Sequence, residues 1–222
     1  MNKRSYEIFA LYFFLLAGGL WHVLDVLQPV MRATAGFVVI FLAVWIAFHY
    51  WSEHKESTKK EWSSYFIVWM AIVVVSTFLI EYAGVSTGKV FGRYEYGRTL
   101  QPQLLEVPLS IGFAWLGMLL SSAAIVQKLA GTRNMSHLAN AAGIAFFMVL
   151  FDIVMEPAAV ALGYWNWFNQ PIPIQNYAAW FAIGFVLAFI GLRFGVLTKR
   201  LPMLAIHIYS AQLLYFGMIL LK

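Results

Sequence analysis

The feature that most constrains this chain is a series of seven apolar stretches, each about as long as a bilayer is thick. A transmembrane helix needs about 20 mostly apolar residues to cross about 30 Å of hydrocarbon. Numbered as spans 1 to 7 in chain order, the stretches are 6–27, 30–51, 63–83, 107–128, 138–161, 177–197 and 203–221. They are too continuously apolar for the alternating strands of a membrane barrel. The sequence therefore predicts an all-α polytopic membrane helical bundle of about seven transmembrane helices.

The composition excludes a soluble globular protein. Of the 222 residues, 62% are hydrophobic and only 11% are charged, and the mean hydropathy is +0.74. A soluble domain has about 45–50% apolar and about 25% charged residues. The spans leave no length for a separate soluble domain, so we expect a single integral membrane domain over 1–222. The sequence has no cysteine, which excludes a disulfide framework, a thiolate metal site and a cysteine nucleophile.

The distribution of Lys and Arg predicts the orientation of the bundle. Ten of the 15 basic residues fall on the side of the N-terminus and five on the other. Cytoplasmic loops carry the excess, so we expect a bacterial or archaeal cytoplasmic membrane with the N-terminus in the cytoplasm. Lys3 and Arg4 also resemble the start of a signal peptide, but the apolar run that follows reaches full spanning length, which favours a retained helix. We assign the net charge of +5 to topology and lipid and expect no nucleic-acid partner.

The acids are placed unusually. Six of the ten lie toward the end of the bundle opposite the N-terminus: Asp25, Glu81, Glu95, Glu106, Asp152 and Glu156. A charge inside a span costs about 2.5–3.5 kcal/mol even on a lenient scale, so such acids normally face a cavity or a partner. Contact with headgroups or with Arg93 and Arg98 is the simpler alternative.

Asp152 and Glu156 form a candidate pair. They are four residues apart and therefore share one face of span 5, with Cβ atoms about 5–6 Å apart. Two carboxyl groups this close in a low dielectric do not both ionise readily, so one is expected to hold a proton. The pair is thus a candidate proton donor, or equally a site of proton transport.

Spans 3–4 and 5–6 carry the same sparse pattern. An acid is followed eleven residues later by a glycine and then by two aromatic residues at alternate positions; a proline then opens the next span, with a tryptophan seven residues beyond. The residues are Glu81, Gly92, Tyr94, Tyr96, Pro108 and Trp115, then Asp152, Gly163, Trp165, Trp167, Pro173 and Trp180. We interpret this as a parallel quasi-repeat that twice places an acid near an aromatic loop on one membrane face. An interfacial aromatic belt with prolines at helix starts is the alternative.

Acids among aromatic residues in an apolar bundle fit one type of chemistry well. Protonating an isolated carbon–carbon double bond needs a strong acid in a dry site, and the faces of Trp and Tyr stabilise the resulting carbocation. Water or an internal double bond then captures the cation. The substrate would be a hydrophobic polyene that enters from the bilayer.

Four segments resemble a known family. They are EYAGVSTGKVFGRYEY (81–96), VPLSIGFAWLGM (107–118), FDIVMEPAAVALGYWNW (151–167) and IPIQNYAAW (172–180). Over about 76–182 the chain resembles the membrane carotenoid-biosynthesis hydratases, which include γ-carotene 1'-hydratase and bisanhydrobacterioruberin hydratase. The resemblance implies addition of water across the terminal double bond of an acyclic carotenoid ψ-end, with no organic cofactor. We also expect no metal. At the position of Glu156 the family often has aspartate, which keeps the carboxylate but changes its reach.

These observations give a hypothesis for the site. Asp152, or Glu156 held protonated by it, donates the proton, and Glu81 or Asp25 orients the attacking water. Asn176 positions that water or satisfies an acid. The candidate substrate-binding residues are Tyr94, Tyr96, Trp115, Trp165, Trp167, Asn176 and Trp180.

Two other functions remain open. A carotenoid cyclase of the lycopene type would form the same cation and let an internal double bond capture it. A small proton-coupled transporter would also carry intramembrane acids, although the chain is short for one. Span 7 lacks the lysine of a retinal receptor, and the five histidines form no iron-binding boxes. Other carotenoid enzymes are candidate partners, and the sequence predicts no oligomeric state.

Overall fold

A computed structural model describes residues 3–54, 60–131, 133, 135–168 and 171–222. Within these ranges the chain forms seven helices: α1 (Lys3–Val23), α2 (Gln28–His54), α3 (Lys60–Thr87), α4 (Ser110–Ala130), α5 (His137–Ala161), α6 (Ile174–Arg193) and α7 (Met203–Ile219). The first six are long and apolar enough to cross a membrane, and α7 is shorter, with 17 residues. The predicted all-α polytopic bundle is confirmed. Lys55 and Lys59, which enter the charge distribution above, lie outside the described residues.

Local sequence explains where the helices that carry the acids begin and end. The Ser136 side chain caps α5 by accepting a hydrogen bond from the Ala139 amide at 3.2 Å, as serine commonly does at this position. Beyond the other end of α5, Gly163 has φ +67°, and Gly88 ends α3 in the same way with φ +65°. Glycine adopts this left-handed conformation without a steric penalty. Both helices therefore turn sharply into the loops that follow them.

The loops between helices contain four short strands, β1 (Tyr94–Tyr96), β2 (Gln103–Leu104), β3 (Val107–Pro108) and β4 (Trp165–Trp167). Strand β1 pairs antiparallel with β4, so that Tyr94 lies opposite Trp167 and Tyr96 opposite Trp165. Strands β2 and β3 form a small hairpin. The apolar pattern predicts loops here and a span 4 that begins at 107, but Val107 and Pro108 belong to β3, and α4 starts only at Ser110. The two aromatic loops of the quasi-repeat are thus joined directly.

Helix α4 lies at the centre of the bundle and packs against α2, α3, α5 and α7. Its small residues allow this close packing, as is common between membrane helices. A Cβ atom at Gly112 would lie 2.4 Å from the Val74 carbonyl oxygen, and one at Gly117 would lie 3.4 Å from the Ala43 Cβ. Helix α5 packs on α6, and α1 packs on α7. The result places the ends of α3 and α5 beside the start of α4 and under the β1–β4 pair.

Candidate active site

Glu81 is held by three hydrogen-bond donors near the end of α3. The Tyr94 and Tyr96 hydroxyls donate to Oε2 at 2.6 and 2.8 Å, and the Trp115 indole donates to Oε1 at 2.9 Å. The carboxyl group is buried. Burial, followed by the nearby Glu81 carboxylate, raises the pKa of both Tyr94 and Tyr96 above the ordinary phenol value. Both phenols therefore keep their protons and act as donors.

Glu156 accepts hydrogen bonds from the aromatic residues in the second half of the quasi-repeat. The Trp165 and Trp167 indoles both donate to its Oε2 at 2.9 Å. The side-chain amide of Asn176, in the first turn of α6, donates to Glu156 Oε1 at 3.2 Å and to Asp152 Oδ2 at 2.8 Å. One amide thus bridges the two acids of α5. The predicted pair does share a face of the helix, and both acids are buried.

The donor patterns of the acids differ. Both oxygens of Glu81 and of Glu156 accept hydrogen bonds, which suits ionised carboxylates. Asp152 is fully buried, and its Oδ1 has no hydrogen-bond partner among the described residues. An ionised carboxylate with an unpaired oxygen in an apolar interior is costly. The surroundings of Asp152 therefore suit the protonated acid.

Glu81 and Glu156 face the same cavity. The volume of this cavity that is open to the centre of a water-sized sphere is about 90 Å³. This is enough for several water molecules. Its aromatic walls include Trp115 and Trp180, stacked with ring centroids 4.0 Å apart. The polar side chains on the lining are few, Asn176 among them, and the rest is mostly apolar. Asp152 is not part of the lining and lies one helical turn before Glu156 in α5.

The geometry can be set beside known proteins. Residues 34–221 match the family described as carotenoid biosynthesis protein. The chain belongs to this family. It is also 35% identical over 112 residues to the bisanhydrobacterioruberin hydratase of Haloarcula japonica, an alignment that covers 48% of this chain and 38% of the hydratase. No solved structure matches the chain.

The resemblance drawn from the sequence is therefore confirmed at the level of a membrane family of carotenoid biosynthesis. The structure of this family member brings together three of the four candidate catalytic acids, Glu81, Asp152 and Glu156. It also gathers all the candidate substrate-binding residues around the cavity: Tyr94, Tyr96, Trp115, Trp165, Trp167, Asn176 and Trp180. Asn176 was expected either to position water or to hydrogen-bond an acid. Its side-chain amide hydrogen-bonds both acids of α5.

Asp25, the fourth candidate catalytic acid, is not among the residues that line this cavity. Helix α1 ends at Val23, and Asp25 lies in the following turn with φ +55°. Its side chain is 72% exposed and forms an ion pair with Lys222. The hydrogen bond from Lys222 lowers the pKa of Asp25. The predicted span 1 continues to residue 27, whereas α1 ends at Val23. The longer span places Asp25 inside the membrane helix, where an acid is expected to face the protein interior.

The hydrogen bonds also change the register of the quasi-repeat. Spacing in the sequence pairs Glu81 with Asp152, but the acid bound by the aromatic residues of its own loop is Glu156. Glu156 lies one helical turn closer to the loop than Asp152, and so it reaches Trp165 and Trp167. The two tryptophans of β4 donate hydrogen bonds to Glu156, just as the two tyrosines of β1 donate hydrogen bonds to Glu81.

Several lining residues are absent from the sequence-based candidates, and Tyr164 and Gln212 are two of them. Tyr164 precedes the aromatic pair of β4, and Gln212 is a polar residue within α7; both line the cavity. A polar side chain inside a span is a usable signal, because spans select against it. Over the described residues, no three His, Asp or Glu side chains come together as ligands for a metal.

Proposed function

We propose that this carotenoid biosynthesis protein is a carotenoid hydratase that adds water across the terminal double bond of an acyclic ψ-end through a tertiary carbocation. The observation that carries the proposal is that Glu81 and Glu156 line one small, aromatic cavity from two sides. Such a site offers an acid, a base and cation-stabilising faces together. The name of the Haloarcula japonica relative supports the same reaction.

Proton delivery comes from the α5 pair. Asp152 and Glu156 accept hydrogen bonds from the same Asn176 side-chain amide. We assign storage of the proton to Asp152 and delivery to Glu156, because Glu156 is the member that lines the cavity. The π electrons of the terminal double bond form a C–H bond with this proton. The positive charge remains on the carbon that carries two methyl groups.

Capture of the cation involves Glu81. Trp115, Trp180 and Trp167 present ring faces or edges to the cavity, and a desolvated cation–π contact contributes about 2 kcal/mol. The oxygen of a water molecule forms the C–O bond and releases one proton, which Glu81 accepts. The net change is addition of H and OH, with no oxidation or reduction. Tyr94 and Tyr96 orient the Glu81 carboxylate throughout.

Expression in a bacterial host that makes lycopene or γ-carotene tests the proposal. Pigments are separated by chromatography and weighed by mass spectrometry, and a product heavier by one water is expected. The double variant Glu81→Gln/Glu156→Gln, checked for its presence in the membrane, is expected to leave the pigment unchanged. An isomer of unchanged mass would instead identify a cyclase. Unaltered pigment with the unmodified protein in the membrane would reject hydration of these substrates and favour the transporter.

A further inference from the structure

A second apolar cavity adjoins the first. It lies between α1, α2 and α7, and its lining includes Phe14, Trp21, Ala35 and Tyr215. The centre of a water-sized sphere can move through about 230 Å³ of it. At its outer edge Phe14 is 68% exposed. The side chains there face the lipid, so this cavity is a cleft open to the bilayer; we call it the α1–α2 cleft.

The α1–α2 cleft and the carboxylate cavity share one wall. Five residues line both: Val39, Leu42, Tyr164, Gln212 and Phe216. They come from α2, α7 and the turn before β4. Val39, Tyr164 and Gln212 are partly exposed, whereas Leu42 and Phe216 are buried. Exposed side chains change rotamer on picosecond to nanosecond timescales, so the first three are the more mobile part of this wall. The wall is therefore the place where a long ligand can pass from one space to the other.

The size of the carboxylate cavity requires such a passage. The cavity is small, with about 90 Å³ open to the centre of a water-sized sphere, and suits one end of a polyene, whereas a carotenoid chain extends over many more isoprene units. The remainder of the chain must leave through a wall, and the exit has to be apolar. The lining of the α1–α2 cleft is mostly apolar, with Thr34 and Gln212 among its few polar side chains.

A competing exit exists on the other side of α2. An apolar groove between α2 and α3 is lined by residues such as Phe48, Met70 and Ala71. Among the residues that the structure describes, it shares only Phe113 with the carboxylate cavity. The α1–α2 cleft shares five lining residues with that cavity, so it is the better connected of the two.

We propose that the α1–α2 cleft binds the polyene chain of the substrate while the ψ-end occupies the carboxylate cavity. This deepens the proposed function and rests on it for the identity of the substrate. The wall residues Tyr164, Gln212 and Phe216 then determine how far the end of the polyene reaches toward Glu156. The occupant is a long, linear, unsaturated hydrocarbon drawn laterally from the membrane.

The test compares tryptophan substitutions on a single helix. Ala35→Trp and Thr34→Trp place an indole in the α1–α2 cleft, whereas Ala33→Trp places one on the exposed, lipid-facing side of α2. Each protein is purified from pigmented membranes, and bound polyene per protein is measured by visible absorbance. Both cleft variants are expected to lose bound polyene about tenfold, the change produced by about 1.4 kcal/mol. Ala33→Trp is expected to retain it. Melting temperatures in detergent verify that all three remain folded.

The outcomes separate this proposal from hydration itself. A protein that binds polyene in the cleft but makes no hydrated product contradicts the hydratase and leaves the cleft supported. Equal polyene binding by Ala35→Trp and Ala33→Trp would overturn the proposal that the cleft binds the polyene. Loss of bound polyene in Ala71→Trp, which alters the α2–α3 groove, would overturn it as well. Wild-type protein that carries phospholipid and no polyene overturns it too. A short acyclic terpene with the same terminal double bond provides a final check, because the cleft variants should still convert it.

Discussion

A single side-chain amide, that of Asn176, arranges the two acids of α5. Its N–H groups donate hydrogen bonds to two different carboxyl groups, that of Asp152 and that of Glu156. Asp152 has no second donor among the described residues, whereas Glu156 has two indoles. Two carboxyl groups of the same helix therefore have two different environments. Unlike environments of this kind are what divide acid and base roles between neighbouring carboxyl groups.

Substitution of each acid by its amide tests this division. Glu156→Gln removes the proposed proton donor and is expected to lower the proposed hydration about 10²–10⁴-fold, the usual contribution of a general acid. Asp152→Asn resembles the protonated acid in shape and charge, so it should fold with little loss of stability and still lower the rate. Product formation and thermal unfolding in detergent are measured for each. Asp25→Asn is the matched control and should hydrate normally.

Two results would contradict these roles. Full activity in Asp152→Asn would exclude proton storage at that residue. A strong loss of activity in Asp25→Asn, despite its exposure and its ion pair with Lys222, would return that acid to the catalytic set.

At the scale of elements, the pairing of β1 with β4 unites the two halves of the quasi-repeat. The pairing places Tyr94 against Trp167, with ring centroids 5.1 Å apart. It continues beyond the strands, since the Gly97 amide donates to the Tyr164 carbonyl oxygen at 2.8 Å. Each strand has only three residues, and an isolated pair of this length is not stable in water. The indole and phenol hydrogen bonds to the buried acids therefore stabilise the sheet and the site together.

Gly97→Ala is expected to separate these strands. A Cβ atom at Gly97 would lie 2.2 Å from the Gly163 carbonyl oxygen, and backbone does not move aside as a side chain does. We expect destabilisation of about 1–3 kcal/mol, typical of overpacking, with loss of hydration because Glu156 and Glu81 lose their aligned donors. Thermal unfolding and product analysis measure the two effects.

Gly217→Ala is the matched control for this substitution. Nothing lies within 4 Å of a Cβ atom at Gly217, which is in α7. Replacing glycine in a helix stabilises by about 0.5–1 kcal/mol, so unchanged or higher stability is expected. An unfolding temperature for Gly97→Ala that equals that of Gly217→Ala would show that the β1–β4 pair contributes little.

At the scale of the whole molecule, the buried acids and a group of basic side chains lie at opposite ends of the bundle. The buried acids lie near the ends of α3 and α5 that face the β1–β4 pair, while Lys128, Arg133 and Arg200 lie at the other end, around a separate cavity. An excess of Lys and Arg is typical of the cytoplasmic side of a membrane protein. The candidate site is then expected near the non-cytoplasmic face.

Labelling of single cysteines tests this orientation directly, because the chain has none of its own. Lys89→Cys and Lys128→Cys each replace an exposed lysine, at the site end and at the opposite end. A membrane-impermeant maleimide is expected to label Lys89→Cys in intact cells and Lys128→Cys only after permeabilisation. The reverse pattern would place the N-terminus and the basic end outside the cytoplasm.

The sequence by itself determined the bundle, the acids near one end and the aromatic loops beside them. These are local properties: apolar length sets a span, and the cost of burying a charge makes each intramembrane acid conspicuous. The tertiary structure decided which groups meet. Strand pairing between residues about seventy positions apart, the selection of Glu156 over Asp152 at the cavity, and the removal of Asp25 to the surface depend on how helices rotate and where they end. Those choices follow from packing between elements, which spacing along the chain does not encode.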